Sequence, residues 1–138
     1  MDGFNQEQRD SLLATMPYGA LLGIELIEAS PQRVTGRLAH QEKLTTLGGI
    51  LHGGVLMSLA DSLGGICAFL NLPEGAAGTT TIESKTNLMR GVASGAVEGV
   101  TLPLHVGRTS TVVETRLTNE VGKLVSLTIQ TQTVVWPR

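Results

Sequence analysis

The sequence predicts an α+β domain in which a strongly curved, mostly antiparallel sheet surrounds one long helix. From Gly54 the run VLMSLADSLGGICAFL has helical period. Val55, Leu59, Leu63, Ile66 and Leu70 fall within a sector of about 80° at about 100° per residue. After Pro73 no second long amphipathic helix follows, only four strand-like segments joined by short turns, which favours antiparallel pairing. A helix with so apolar a face has to be covered by a sheet. With 138 residues the chain is expected to form a single domain, 1–138. The alternative is an open α/β sandwich with its helices outside the sheet.

Residues 5–16, NQEQRDSLLATM, read as a short N-terminal helix capped by Asn5, with Leu12, Leu13 and Met16 facing inward and Pro17 closing it. This makes 1–17 a helical extension. Strands are expected near 20–29 and 33–40, on either side of a turn centred on Pro31 and Gln32. The tract 44–73 contains Asp61 as its only Asp, Glu, Lys or Arg. Leu56 and Cys67 widen the helix's apolar stripe, while Met57, Ser58, Asp61, Gly65 and Ala68 lie opposite, on a face able to admit a ligand or another protein surface. Strands are then expected at 76–89, 93–106, 108–119 and 123–136. In two of them Val100, Leu102, Leu104 and Val106, and Val125, Leu127 and Ile129, alternate in step.

Ten Lys plus Arg against twelve Asp plus Glu give a formal charge of -2, so nothing in the charge balance attracts nucleic acid or anionic lipid. The single Cys67 excludes an intramolecular disulfide and a multi-cysteine zinc site, and its apolar neighbours fit a buried thiol in a reducing compartment. The beginning MDGFNQEQRD has neither a basic leader nor an apolar run, and the least polar stretch is broken by His52, Ser58, Asp61 and several glycines. The expectation is a cytoplasmic protein that is neither secreted nor membrane-spanning.

His52 and Asp61 bracket the start and second turn of the helix. Gly53 and Gly54 lie at its amino terminus, where the first N–H groups lack intrahelical acceptors and can stabilise charge developing on a carbonyl oxygen. Asp61 is suited to act as a nucleophile or to deprotonate water. His52 can donate to the carbonyl or shape the helix entrance. The structural alternative is a tight loop at His52–Gly53 and a solvent-facing Asp61. His40 reads as a loop or strand-end residue and His105 as exposed. The three histidines have no metal-ligand spacing, so no metal is expected. No phosphate loop, dinucleotide fingerprint or serine-nucleophile elbow is present, and Ser58, Ser62 and Ser84 are not promoted to a triad. Lys85, Arg90 and Arg108 form at most a small cationic rim.

The run LGGILHGGVLMSLADSLGG resembles the central-helix signature of hotdog-fold acyl-CoA thioesterases, especially the phenylacetate-degradation and hydroxybenzoyl- or dihydroxynaphthoyl-CoA thioesterase group. TIESKTNLMRG resembles the family's next substrate-facing strand and PLHVGRTS a later CoA-facing turn, over approximately residues 18–136. The resemblance implies a hotdog fold, a homodimer unit often doubled to a tetramer, and active sites shared across the dimer interface. It implies hydrolysis of an acyl-CoA, aromatic or short-to-medium in its acyl group, with CoA as part of the substrate and no separate cofactor. The other functions weighed are a noncatalytic acyl-CoA binding module and a dehydratase or isomerase of the same fold.

Carried over by position, Asp61 matches the family's helix carboxylate, acting as base or nucleophile. Gly53 matches the N–H that polarises the thioester carbonyl, with His52 beside it. Thr81 matches a hydroxyl that orients water in some relatives. Arg90, Gly107 and Arg108 match the general CoA region. Thr46 departs from the pattern, since relatives often carry Asn or Gln there.

Overall fold

The computed structural model describes residues 3–138. Helix α1 (Gln6–Ala14) starts in a capping box: Asn5 Oδ1 accepts from the Gln8 N–H, and the Gln8 side chain accepts from the Asn5 N–H. Pro17 does not end this helix; it opens a second one, α2 (Pro17–Leu22), which stops at Gly23 with φ 81°. Proline is accommodated in a first helical turn because its missing N–H would have had no partner there. The strand expected from residue 20 therefore begins later, as β1 (Glu25–Ser30), and β2 (Arg33–Ala39) returns beside it.

Two short 3-10 turns lead into α3 (Gly53–Leu70), followed by β3 (Gly78–Leu88), β4 (Ala96–Val106), β5 (Ser110–Thr118) and β6 (Leu124–Val135). The six strands form one sheet in the order β1-β2-β4-β5-β6-β3, and every neighbouring pair is antiparallel. β3 lies at the far edge beside β6 instead of pairing with β4, so the chain crosses the sheet between them. Helix α3 packs against all six strands, which is the hotdog arrangement and excludes the open sandwich. Its mean hydropathy of 1.6 over 18 residues is high enough for a membrane span, but the surrounding sheet already covers its apolar stripe.

Leu59, Leu63 and Cys67 are fully buried against Val34, Leu38, Val97, Val113, Leu117 and Val125. The sheet makes room for the helix with glycines: a Cβ on Gly36 or Gly99 would come within 2.7 or 2.6 Å of a Leu63 methyl. Gly65 faces open space as expected, whereas Ala68, assigned to the same open face, is buried.

The alternating apolar positions of β4 and β6 lie mostly outside the core. Val97, Gly99 and Thr101 face the helix, while Leu102, Leu104 and Val106 are exposed, the register shifting between Pro103 and His105. In β6, Ser126, Thr128, Gln130 and Gln132 are buried and Leu127 and Ile129 only half-buried. Most of these polar groups pair internally, with hydroxyl contacts Thr86–Thr128 at 2.7 Å and Thr101–Thr115 at 2.6 Å. Buried polar groups are tolerated when they are hydrogen-bonded. The layer beneath one side of α3 is therefore polar, and Asp61 sits on that side.

Candidate active site

His52 has extended backbone angles and caps α3 with its side chain, Nδ1 accepting from the Gly54 N–H at 2.8 Å. A ring nitrogen that accepts carries no proton, so the neutral imidazole bears its proton on Nε2. The His52 carbonyl accepts from the Val55 and Leu56 N–H groups at 2.9 and 3.3 Å. Of the first-turn amides only that of Gly53 has no acceptor among the described residues. A free N–H at a helix N-terminus is a donor for a polarised carbonyl oxygen. The preceding loop is held by His40 Nε2 against the Gly49 carbonyl at 2.8 Å and by the Leu51 N–H to the Val92 carbonyl at 2.8 Å. Thr46 contributes its backbone N–H to the Ile50 carbonyl, and its side chain caps nothing.

Asp61, two turns along α3, is exposed, and its Oδ1 accepts two hydrogen bonds, from Thr81 Oγ1 at 2.9 Å and Gln130 Nε2 at 3.0 Å. Gln132 Nε2 donates to Thr81 Oγ1 at 2.5 Å. Oδ2 has no partner among the described residues. Asp61 and Thr81, named separately from the sequence, are thus in direct contact, while no hydrogen bond joins Asp61 to His52 among the described residues. The two glutamines were missed by sequence reasoning; their signal is a pair of amides two apart in QTQTVV, on one face of a strand.

Asp61 and Thr81 line a cleft of about 600 Å³ whose other walls include Leu12, Met16, Tyr18, Ile66 and Phe69, so the N-terminal helices contribute directly to it. Among the described residues, no Lys, Arg or His lines this cleft. Ser58 Oγ donates to the Gly54 carbonyl and contacts the Tyr18 hydroxyl at 3.0 Å, a structural arrangement unlike that of a nucleophile. Cys67 is no candidate either, since burial pushes its thiol from 9.0 up to about 11, against a smaller lowering by Asn71.

The cationic positions do not converge within one chain. The Arg90 N–H bonds to the Val125 carbonyl at the start of β6, whereas Thr109, next to Arg108, bonds to Val134 at its end. Nine residues of strand, about 30 Å, separate those two points. The Arg108 guanidinium lies over Trp136, 4.3 Å from the ring centroid, and the indole N–H donates to the Arg108 carbonyl. Gly107 packs against the exposed His105: a Cβ there would come within 2.7 Å of the His105 ring.

The family model described as Thioesterase superfamily matches residues 48–126, from the loop before α3 into β6. The protein PA1618 of Pseudomonas aeruginosa is 30% identical over 135 residues, covering 98% of this chain and 89% of its own. A crystal structure of a mutant of that thioesterase aligns with TM-score 0.87 at 29% identity, covering 96% of this chain and 97% of the other. Thioesterase HI1161 of Haemophilus influenzae aligns with TM-score 0.87 at 26% identity, covering 97% and 92%. The 1,4-dihydroxy-2-naphthoyl-CoA hydrolase of Escherichia coli is 36% identical over 76 residues, 55% of each chain. The match spans the Gly53 amide, the Asp61 carboxylate and the Thr81 hydroxyl, and by it the chain belongs to the thioesterase superfamily.

Proposed function

We propose that the protein hydrolyses acyl-CoA thioesters whose acyl group is neutral, either aromatic or of short to medium length. The observation that carries this reading is a carboxylate held by two donors on one oxygen, with the other oxygen free, in an otherwise largely apolar cleft. The cleft's volume is within the range of small-molecule sites. The lining that one chain supplies is mainly apolar, which suits an uncharged acyl group beside the Asp61 carboxylate. In the base mechanism, water adds to the thioester carbonyl as its proton passes to Asp61. The C–S bond then breaks, and the proton goes on to the departing CoA thiolate. In the covalent mechanism, Asp61 attacks the carbonyl carbon, and the C–S bond breaks to expel the CoA thiolate and leave a mixed anhydride. Water then opens the anhydride, its proton going to the thiolate as the Asp61 carboxylate is restored. Both use the Gly53 N–H on the oxyanion.

Gly53 and Asp61 are eight residues apart on one helix, about 12 Å along its axis. A single carbonyl has to lie within about 3 Å of both groups. The reading therefore pairs Asp61 of one copy with Gly53 of another. Supporting a dimer, β3 is an exposed edge strand of 11 residues, and Met57 and Gly65 lie uncovered on α3. Antiparallel pairing of two β3 edges would bring Arg90 of one protomer to the same end as Arg108 of the partner subunit, giving the CoA phosphates two guanidinium groups. The half-apolar outer sheet face, with Leu102 and Ile129, suits a second contact that doubles the dimer. Supply of CoA thioesters and a lone, buried Cys67 both fit a cytoplasmic setting.

The test is thiol release from a panel of acyl-CoAs, with direct binding measured alongside, for the wild type and Asp61→Asn. Turnover is expected to fall roughly 10²- to 10⁴-fold in the variant, the scale of acid-base assistance, with assembly intact. Near-normal turnover in an assembled Asp61→Asn protein removes Asp61 from the mechanism. Tight binding without hydrolysis across the panel favours a binding module.

A further inference from the structure

We infer that Gln130 and Gln132 are positioning residues that fix Asp61 through Oδ1 and so make Oδ2 the reacting oxygen; this rests on the reading of Asp61 as the reacting acid. An ionised carboxylate only accepts hydrogen bonds, and a threonine hydroxyl has one proton to give. At 2.9 Å from Oδ1, Thr81 must donate that proton to Asp61. Its oxygen is then left to accept, so Gln132 must present Nε2, the amide group that lies 2.5 Å away. The order Gln132 to Thr81 to Asp61 is thus dictated from the carboxylate outward. Gln130 is constrained in the same way and gives Nε2 to Oδ1 at 3.0 Å.

That orientation leaves the Gln130 Oε1 buried with no donor, on a side chain that is 0% exposed. An unpartnered buried carbonyl is destabilising, and an apolar side chain of similar size would fill the space without that penalty. The helix is also opened to admit the amide: a Cβ on Gly64 would come within 2.0 Å of Oε1. A residue that costs stability and needs a glycine opposite it is explained by what its other end does, which is to hold the carboxylate. Two donors arrive on Oδ1 by separate routes, one through Thr81 and one direct, and neither touches Oδ2. Oδ2 is therefore the atom that takes a proton from water or attacks the carbonyl carbon.

The experiment compares kcat, KM, assembly and Tm of Gln130→Met, Gln132→Met, Thr81→Val and the two double variants containing Thr81→Val, with Asp61→Asn beside them. Gln130→Met is expected to lower kcat about 10- to 100-fold, the scale of one hydrogen bond to a charged group, while KM is retained and Tm is unchanged or higher. Because Gln132 reaches Asp61 only through Thr81, adding Gln132→Met to Thr81→Val should lower kcat no further, whereas adding Gln130→Met should multiply the loss. Should Gln130→Met not fold, Gly64→Ala displaces the same amide and is expected to lower kcat in its place. Wild-type kcat in assembled Gln130→Met and Gln132→Met, with Asp61→Asn inactive, overturns the positioning role. Multiplying losses in Thr81→Val/Gln132→Met overturn the relay order. An active Asp61→Asn protein instead brings down the hydrolase reading beneath both.

Discussion

Six positions apart on one helix, Asp61 and Cys67 meet opposite surroundings. Asp61 lines a cleft and is held by side chains from β3 and β6, while Cys67 is sealed in the core with its thiol pushed up to about 11. The unfolded thiol ionises near 9.0 and the folded one near 11, so above pH 9 the unfolded chain gives up its proton first. Stability from this group is complete below pH 9 and is lost as pH rises toward 11, by about 2 to 3 kcal/mol. Urea titrations across that range are expected to fall more steeply for wild type than for Cys67→Ala; equal slopes would refute the assignment. The His52 cap makes a different demand. His52→Ala removes the Nδ1 acceptor from the Gly54 N–H and is expected to lose about 1 kcal/mol, whereas His52→Asn supplies another cap oxygen and should retain most of it. Equal losses by chemical denaturation would mean that the ring serves something other than the cap.

The N-terminal helices form an element with a role of its own. Ser58 gives its only hydroxyl proton to the Gly54 carbonyl, so Tyr18 must donate to Ser58, which latches α2 onto the first turns of α3. Arg9 ties α1 to the Leu26 carbonyl at 3.2 Å. Leu12 and Met16 are thereby held as one wall of the cleft. Met16→Ala should shift kcat/KM toward longer acyl chains by about 10-fold, the scale of a methylene or two in an apolar pocket, as an acyl-CoA length series would show. An unaltered profile would place the acyl group elsewhere. Sequence reading located α3, its apolar stripe and the Asp61–Thr81 region, because a helical stripe is a local pattern and the family signature is a short run of residues. It misassigned Pro17 because a proline that closes one helix and one that opens the next look alike until the following turn is seen. The alternation of Val125, Leu127 and Ile129 marked β6 as a strand, but alternation reveals two faces without saying which is inside. The polar face of β6 turned inward because Asp61 and Thr81 were there to meet it, and those contacts, 69 and 51 residues away in sequence, have no local signature.

At the scale of the whole molecule the question is whether a single chain holds a complete site. Gly53→Pro isolates the amide: His52 already has φ -60° and ψ 135°, which suit a residue before proline, and Gly53 is the first residue of α3, where proline is accepted. A Cβ there would approach a Leu88 methyl to 2.8 Å, the end of a flexible side chain. The Gly53→Pro and Asp61→Asn proteins should each be nearly inactive. If Asp61 of one protomer works with Gly53 of its partner, a mixed dimer collects both lesions in one site and leaves the other intact. Refolding an equal mixture should then recover about a quarter of wild-type thioesterase activity, since half the dimers are mixed and half their sites are whole. If each chain held a complete site, every site in the mixture would still carry one lesion and no activity would return. Co-refolding with thiol-release assays, and sedimentation to verify mixed dimers, decides between these outcomes independently of which acyl group is used.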